Sequence, residues 1–247
     1  MALVIAGCER RLVKLGLIMK EALVVFAKAP LAGQVKTRLI GALTAEEVAQ
    51  LYICFLRDTF ATMEVVQEER ENLSLVLCFT PPDEIEAFES ADLDGCLMMA
   101  QRGDNLGAKL RNCLADLFEL GFSKIVIIGA DTPTLPEEII IEAFEQLTSQ
   151  NQVVIGPATD GGYYLIGMSQ LQPKLFEDVN WGSENVLTET LARAGEARLT
   201  ISQLPLWHDI DSPQDLEKLK LEIKADSTLA NNTRKYLKAL LKTDKLL

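Results

Sequence analysis

Three basic residues without acidic neighbours, Lys28, Lys36 and Arg38, lie in one short segment of the chain. No aspartate or glutamate occurs in the range Ala22–Ala45, although the chain contains 36 acidic residues. Gly33 permits close approach of a ligand to the backbone, and Arg38 offers a forked donor to phosphate oxygens. The pattern favours phosphate binding over an exposed loop whose cations happen to lack neighbours, although it is neither a Walker loop nor a GxGxxG turn.

A carboxylate follows the apolar run Lys124–Gly129 at Asp131. Mg²⁺ usually takes one or two protein carboxylates together with phosphate oxygens of a ligand, and the end of a strand is a suitable place for such a carboxylate. The alternative is that Asp131 or Thr134 caps the helix predicted after Pro136. We favour Asp131 as a metal ligand, with Thr134 or Leu135 at the start of the helix.

Asp160, Gly161 and Gly162 stand between two apolar runs and are followed by Tyr163. The dipeptide Asp-Gly in this position is typical of a tight hairpin. Two consecutive glycines would also let a substrate pack against the backbone while Asp160 contacts its hydroxyls or acts as a base. The sequence supports both interpretations.

Two further acidic residues, Asp209 and Asp211, precede the sequence Ser212-Pro-Gln-Asp215. Ser212 as N-cap, proline at the first helical position and Asp215 at the third account for a helix start without any functional role. Asp209 and Asp211 are not needed for this cap. Because alternate residues of an extended segment point the same way, one of them could complete the metal site of Asp131; two exposed loop acids are the alternative.

Short apolar segments separated by helical patterns must position these residues. Strands are predicted at Ala22–Ala27, Leu73–Thr80, Lys124–Gly129, Gln152–Gly156, Tyr163–Met168 and Leu199–Leu204, and helices after the capping box of Thr44 and Glu47 and at Leu106–Leu120, Pro136–Gln146 and Thr233–Leu246. This alternation predicts an α/β fold, with a mostly parallel central sheet and helices on both faces. Ligands of such sheets bind beyond the carboxyl ends of the strands, where the candidate residues lie.

The composition restricts the partners and the compartment. A chain of 247 residues with 48% hydrophobic content can bury the core of one domain, expected at 19–247 after an N-terminal extension at 1–18. The net charge of -12 argues against a nucleic-acid or anionic-membrane partner, and no apolar run reaches the roughly 18 residues that span a bilayer. Five cysteines without a CxxC pair suit a reducing cytoplasm. A Ser/His/Asp triad would have to use His208, the single histidine, and no GxSxG accompanies it.

The span from about Ala22 to Leu219 resembles a known bacterial family. The resemblance rests on the segments Phe26–Pro30, Val35–Leu39, Gly129–Pro133, Gly156–Gly167 and Asp209–Leu216. In order and spacing they are similar to the radical-SAM/selenodomain-associated transferases, also described as arsenosugar-biosynthesis-type glycosyltransferases, of the nucleotide-diphospho-sugar transferase (GT-A) superfamily. The G-D-L-G-x-R element of that family corresponds here to Gly103–Lys109, with Asn105 inserted and Lys109 in place of arginine.

The resemblance implies a GT-A fold, a nucleotide-activated donor, and Mg²⁺ or Mn²⁺ that bridges the donor diphosphate to Asp131, with Asp209 and Asp211 as further ligands. Contacts to the substrate are expected from Asp160, Gly161, Gly162 and Tyr163. Phosphate-binding residues are expected to be Ala27, Lys28, Pro30, Gly33, Lys36, Thr37, Arg38, Gly107 and Lys109. Of all these, Asp160, Lys36 and Arg38 are expected to take part in catalysis.

Three functions are compatible with such a site. In a glycosyltransferase, the metal and the basic segment stabilise the departing nucleoside diphosphate, while Asp160 orients or deprotonates the acceptor hydroxyl. In a nucleotidyltransferase, the same cations neutralise the phosphates of an NTP while a phosphorylated substrate attacks its α-phosphorus and pyrophosphate leaves. A non-catalytic nucleotide-binding protein would bind without turnover, and the presence of all three acids argues against it. We expect the first, with a nucleotide-activated sugar and a small-molecule acceptor as partners.

Overall fold

Seven strands form one sheet in the computed structural model, which describes residues 20–93 and 95–243. They are β1 Lys20–Lys28, β2 Leu73–Thr80, β3 Leu97–Ala100, β4 Phe122–Gly129, β5 Gln152–Pro157, β6 Tyr163–Met168 and β7 Thr200–Gln203. The order across the sheet is β3-β2-β1-β4-β6-β5-β7. Strand β6 runs antiparallel to both of its neighbours, whereas the other adjacent pairs are parallel. The prediction of a mostly parallel sheet is therefore confirmed.

Helices connect the strands and continue after the last one. They are α1 Ala45–Glu68, α2 Leu106–Glu119, α3 Glu137–Gln146, α4 Val186–Glu196, α5 Pro213–Ala225 and α6 Asn231–Thr243, together with short 3₁₀ segments at Thr37–Leu39, Ile85–Ala91 and Pro173–Phe176. The capping box of Thr44 and Glu47 is present at α1, and that of Ser212 and Asp215 is present at α5. Both helix starts are as the sequence predicts, because these caps depend only on residues three positions apart.

Helices cover both faces of the sheet. Alternate side chains of β1 point to opposite sides, so that Leu23 and Val25 join one apolar cluster while Ala22 and Val24 join the other. Helices α1, α3, α5 and α6 contribute to the first cluster, and α2 and α4 contribute to the second. This arrangement confirms the predicted helical layers and leaves the carboxyl edge of the parallel strands open.

Some local predictions differ from the structure. Strand β3 and helix α4 were not expected from the sequence. The expectation that Thr134 or Leu135 starts α3 is wrong, and so is the alternative that Asp131 or Thr134 caps it, because the N-cap is Pro136 and no side chain caps it. Thr134 instead donates its hydroxyl to a carboxylate oxygen of Glu222 on α5, at 3.4 Å. The predicted extension at 1–18 lies outside the described residues.

No helix among the residues that the structure describes is long and apolar enough to cross a membrane.

Candidate active site

A cavity of about 590 Å³ opens at the carboxyl edge of the sheet. Its wall is formed by the ends of β1, β2 and β4, the start of β6, and the loops that follow β1 and β7. The predicted site residues that line it are Ala27, Lys28, Lys36, Thr37, Arg38, Lys109, Asp131, Asp160, Tyr163, Asp209 and Asp211. The fold therefore brings together, at one cavity, residues that are distributed from the first strand to the last loop before α5.

Lys36 occupies the centre of this group of residues. Its ammonium nitrogen lies 2.6 Å from Oδ1 of Asp131 and 2.6 Å from Oδ1 of Asp211. The lysine side chain is 5% exposed, whereas the aspartate side chains are 43% and 41% exposed, so the carboxylates reach the cavity and the ammonium lies behind them. Burial alone would lower the pKa of Lys36, but the two carboxylates outweigh it and raise this pKa above its ordinary value. Lys36 is therefore held as a cation between two anions.

The backbone at Lys36 is as unusual as its side chain. Its φ of 44° and ψ of 41° lie in the left-handed region, which residues other than glycine seldom adopt. The 3₁₀ segment begins at the next residue, and the N–H of Leu39 donates to the carbonyl of Lys36 at 2.8 Å. The Lys36 side chain is buried next to this turn, while Thr37 and Arg38 remain exposed at the cavity.

The segment with Asp209 and Asp211 is fixed beside Asp131 by main-chain hydrogen bonds. The N–H of Ile210 donates to the carbonyl of Asp131 at 3.0 Å, and the buried Ile210 side chain anchors the segment in the core. Because Ile210 faces inward, its two acidic neighbours face the cavity. Burial, together with the nearby carboxylates of Asp131 and Asp160, raises the pKa of Asp209 to about 7, although Lys36 acts in the opposite direction.

Asp160 lies in the turn of a hairpin formed by β5 and β6. Its Oδ1 accepts the N–H of Gly162 at 2.8 Å, while the residue as a whole lines the cavity. Gly161 has a φ of +89°, and a side chain there would overlap the main chain of Glu184. The hairpin interpretation is correct, and it places Asp160 at the cavity. Gly161 is needed by the turn, and neither Gly161 nor Gly162 lines the cavity.

The remaining parts of the basic segment have different surroundings. The side chain of Lys28 is exposed at the cavity, and its N–H donates to the hydroxyl of the buried Tyr52 at 3.2 Å. Gly33 has a φ of +76° in a turn, and Pro30 is buried; neither of them lines the cavity. Lys28, Thr37 and Arg38, together with Gln34, which was not predicted, are thus the members of this segment that offer exposed side-chain donors at the cavity.

The Gly103–Lys109 element closes the opposite wall of the cavity. The inserted Asn105 is the N-cap of α2, because its side chain accepts the N–H of Ala108 at 2.8 Å. Lys109 reaches the cavity, with its ammonium nitrogen 3.5 Å from the hydroxyl of Thr80. Gly107 does not line the cavity; a side chain there would overlap the indole of Trp181, and the glycine serves this packing.

Tyr52 and Gln101 also line the cavity, and neither was predicted from the sequence. Tyr52 belongs to the apolar face of α1, where an aromatic residue is indistinguishable from core by spacing. Gln101 is buried directly after β3, and its Nε2 donates to the carbonyl of Cys78 at 2.9 Å and to that of Ala27 at 3.4 Å. A glutamine directly after a strand would have marked Gln101 as a candidate site residue. Because β3 was not predicted, this sign could not be read from the sequence.

A divalent cation can be accommodated by these residues only in part. Among the described residues, no three His, Cys, Asp or Glu side chains are grouped as a metal centre. Asp131 and Asp211 nevertheless present two carboxylate oxygens that already share one cation, and two carboxylates with phosphate oxygens are an ordinary donor set for Mg²⁺. The pair fits a divalent cation that takes the place of the Lys36 ammonium.

Similar solved structures exist for this arrangement of strands. A protein from Desulfovibrio desulfuricans G20, described as a "putative nucleotide-diphospho-sugar transferase", is 31% identical over 90% of this chain and 95% of its own, with a TM-score of 0.80. This chain belongs to the nucleotide-diphospho-sugar transferase superfamily. Residues 62–183, which include Asp131 and Asp160, also match a family described as "Uncharacterized protein conserved in bacteria (DUF2064)".

More distant members of the same fold are nucleotidyltransferases. A cytidylyltransferase from Leptospira borgpetersenii serovar Hardjo-bovis is 14% identical over 92% of this chain and 96% of its own, with a TM-score of 0.53. A CMP:2-keto-3-deoxy-manno-octonic acid synthetase complexed with CTP is 10% identical over 84% and 99% of the two chains, with a TM-score of 0.51. At these identities the likeness concerns the fold alone. No curated protein matches the chain.

Proposed function

We propose that this protein is a metal-dependent glycosyltransferase that moves a sugar from a nucleotide diphosphate sugar to a small acceptor. The observation that carries the proposal is the convergence of Asp131 and Asp211 on one cation, beside the exposed cations Lys28 and Arg38 in the same cavity. A diphosphate has the charge and the size to bind between these two groups. The 31% identical relative and the resemblance to the radical-SAM/selenodomain-associated transferases support the same reaction.

The donor side of the site follows from the positions of the charges. Asp131 and Asp211 would hold Mg²⁺ or Mn²⁺, which supplies neutralisation of the diphosphate charge when bound. Lys28, Thr37 and Arg38 would donate to the phosphate oxygens from the facing loop. Because negative charge develops on the leaving nucleoside diphosphate, donors fixed at this place lower the energy of the transition state more than that of the bound substrate.

The acceptor side of the site is formed by Asp160 and Tyr163. In the transfer, the acceptor oxygen forms a bond to the anomeric carbon, the bond from that carbon to the phosphate oxygen breaks, and the electron pair leaves with the nucleoside diphosphate. The Asp160 carboxylate receives the proton of the acceptor hydroxyl or orients that hydroxyl for attack. Its hydrogen bond with Gly162 fixes the carboxylate in the turn.

Nucleotidyl transfer is the second candidate, and the exposed run Thr37-Arg38 favours it because a triphosphate needs dense phosphate contact. Two observations favour glycosyl transfer instead. The only glycine of the segment, Gly33, lies outside the lining of the cavity, so nothing in this arrangement favours a backbone wrapped around a triphosphate. The cavity also contains Asp160, whose charge opposes a phosphorylated second substrate. The fold itself supports both reactions equally.

Thermal unfolding with nucleotides and Mn²⁺ or Mg²⁺ tests the proposal. A ligand at 100 times its dissociation constant adds about 2.7 kcal/mol, which for a chain of this size raises the melting temperature by roughly 5 to 10 °C. We expect this shift with a UDP-, GDP- or dTDP-sugar, followed by release of the nucleoside diphosphate when an acceptor is added. Stabilisation by an NTP alone, with pyrophosphate released on turnover, would establish the second candidate; binding without any turnover would refute both.

Two variants test the assignment of Asp131. Asp131→Asn should abolish the metal-dependent part of the nucleotide shift, because it removes a charged ligand from the proposed metal site. Asp178→Asn is the matched control: Asp178 is exposed and does not line the cavity, so the same chemical change should leave the shift intact. A metal-dependent shift that survives in Asp131→Asn contradicts the assignment.

A further inference from the structure

We infer that the Lys36 ammonium and a divalent cation compete for the Asp131–Asp211 carboxylate pair, so that the metal enters this site as Lys36 leaves it. The competition itself follows from the geometry of the ligand-free site. The identity of the ligand that draws Lys36 away, a nucleoside diphosphate group, rests on the proposed function. Lys36 would thereby occupy the metal position in the ligand-free site and contact phosphate once the metal is bound.

The geometry leaves room for one cation at a time. Each Oδ1 lies 2.6 Å from the lysine nitrogen, a short separation for a charge-assisted hydrogen bond, and the same two oxygens are the ones that a metal would need. A dication that binds both oxygens would lie within contact distance of the ammonium, and this like-charge repulsion is strong in a partly buried place. Lys36 must therefore move for the metal to bind both carboxylates.

The backbone of the loop holds Lys36 in its ion-paired position between Asp131 and Asp211. A residue other than glycine in the left-handed region is uncommon, and such strain persists where the surroundings enforce it. Here the following 3₁₀ turn and the two ion pairs do so. Substitution by glycine would relieve the backbone strain and remove the ammonium in one step, and it therefore offers a variant that folds without the ion pairs.

A ligand diphosphate would reverse the preference for lysine. The exposed cations Lys28 and Arg38 lie in the same cavity, so phosphate oxygens bound there come close to Lys36. The ammonium can then exchange its two carboxylates for phosphate oxygens, and the carboxylates can accept the metal. Each charge keeps an opposite partner in this exchange. By thermodynamic linkage, the nucleotide then increases the affinity for the metal by a certain factor, and the metal increases the affinity for the nucleotide by the same factor.

Direct titration of Mn²⁺ tests the competition without any enzyme assay. The full chain is freed of metal with EDTA, dialysed, and titrated with MnCl₂ in the absence of nucleotide, with free Mn²⁺ measured by electron paramagnetic resonance. We expect Lys36→Met and Lys36→Gly to bind one Mn²⁺ about tenfold or more tightly than the wild type, within the usual range of coupling between sites. Lys28→Met removes the same charge from the same cavity but contacts neither carboxylate, so we expect its Mn²⁺ affinity to change less than about threefold.

The outcomes are separable. Unchanged Mn²⁺ affinity in both Lys36 variants overturns the inference. Equal tightening in Lys28→Met also overturns it, because the cause would then be the general charge of the cavity. If the double variant Lys36→Met/Asp131→Asn still binds Mn²⁺ tightly, the ion lies at another site, and this result also overturns the inference. If no nucleotide stabilises the wild type with Mn²⁺, the proposed function fails, while the affinity gain in nucleotide-free Lys36→Met still supports the competition.

Discussion

Replacing Gly161 by alanine should destabilise the protein much more than the same change at the adjacent Gly162. Gly161 has a φ of +89°, and a Cβ on it would overlap the carbonyl group of Glu184. Gly162 has no positive φ, and the nearest atom to its Cβ would be Oδ1 of Asp160 at 3.1 Å. Since both residues lie in the turn that carries Asp160, the pair separates a backbone requirement from the general effect of an added methyl group.

The magnitude follows from two costs and one gain. A residue with a Cβ in the left-handed region costs roughly 1–2 kcal/mol, and forcing an extra methyl group against packed main chain costs roughly 1–3 kcal/mol. Alanine also restricts the unfolded chain, which returns about 0.4–1 kcal/mol. We therefore expect Gly161→Ala to lower the free energy of unfolding by roughly 1–4 kcal/mol, whereas Gly162→Ala should change it by less than about 1 kcal/mol.

Urea unfolding of both variants and the wild type, followed by tryptophan fluorescence, measures these differences. The midpoint should fall for Gly161→Ala at an unchanged dependence on urea concentration, because the surface exposed on unfolding is the same. A Gly161→Ala free energy within about 0.5 kcal/mol of the wild type would refute the reasoning, since changes of that size are common at unconstrained surface positions. An equal loss in Gly162→Ala would show that the turn responds to any added methyl group.

Two further predictions concern buried carboxylates. Asp58 is 4% exposed and accepts three hydrogen bonds from the first residues of α6, at 2.8, 2.9 and 2.8 Å. Asp58→Ala should therefore lower the free energy of unfolding by roughly 2–4 kcal/mol and speed hydrogen exchange in α6 before other elements. A uniform increase of exchange across the protein would contradict this. Asp209 has a folded-state pKa raised from 3.8 to about 7, so between these values the folded state keeps a proton that the unfolded state has lost. The contribution to stability is therefore complete below about pH 4 and falls progressively until about pH 7. In metal-free protein, the free energy of unfolding of Asp209→Asn minus that of the wild type should therefore increase by up to about 4 kcal/mol from pH 4 to pH 8. Urea unfolding at each pH measures this difference, and a difference independent of pH would disprove the prediction.

The parts of the fold that depend on local pattern were predictable from the sequence. The capping box at Thr44 and the N-cap at Ser212 were predicted and are present, because each depends only on side chains three positions apart. Strand β3 was missed because it has four residues, none of them fully buried, and two are methionine. Helix α4 was also missed, although its buried residues Val186, Thr190 and Ala194 recur at helical spacing. Short length therefore explains the missed strand, whereas the pattern of α4 was present in the sequence.

The candidate site was predictable in its members but not in their contacts. The alternation of side chains in an extended segment suggested that Asp209 or Asp211 could complete a site with Asp131, with two exposed loop acids as the alternative. In the structure, Asp131 and Asp211 meet through Lys36. Lys36 was grouped with the phosphate-binding cations, since the spacing of residues gives no sign of its left-handed backbone. Gly107 and Gly161 were assigned to ligands, whereas the structure uses them for packing against Trp181 and Glu184, contacts far apart in sequence. The metal and phosphate roles themselves are still predictions.

The hydrogen bond from the Lys36 ammonium to the Asp211 carboxylate joins residues that are 175 positions apart. During synthesis Lys36 emerges early and Asp211 emerges only after all seven strands, so the ion-paired cluster forms among the last contacts of the chain. A chain stopped or cleaved before Asp211 keeps the basic segment but leaves the lysine with one carboxylate. Assembly of the Lys36 ion pairs is therefore tied to synthesis of the chain as far as Asp211.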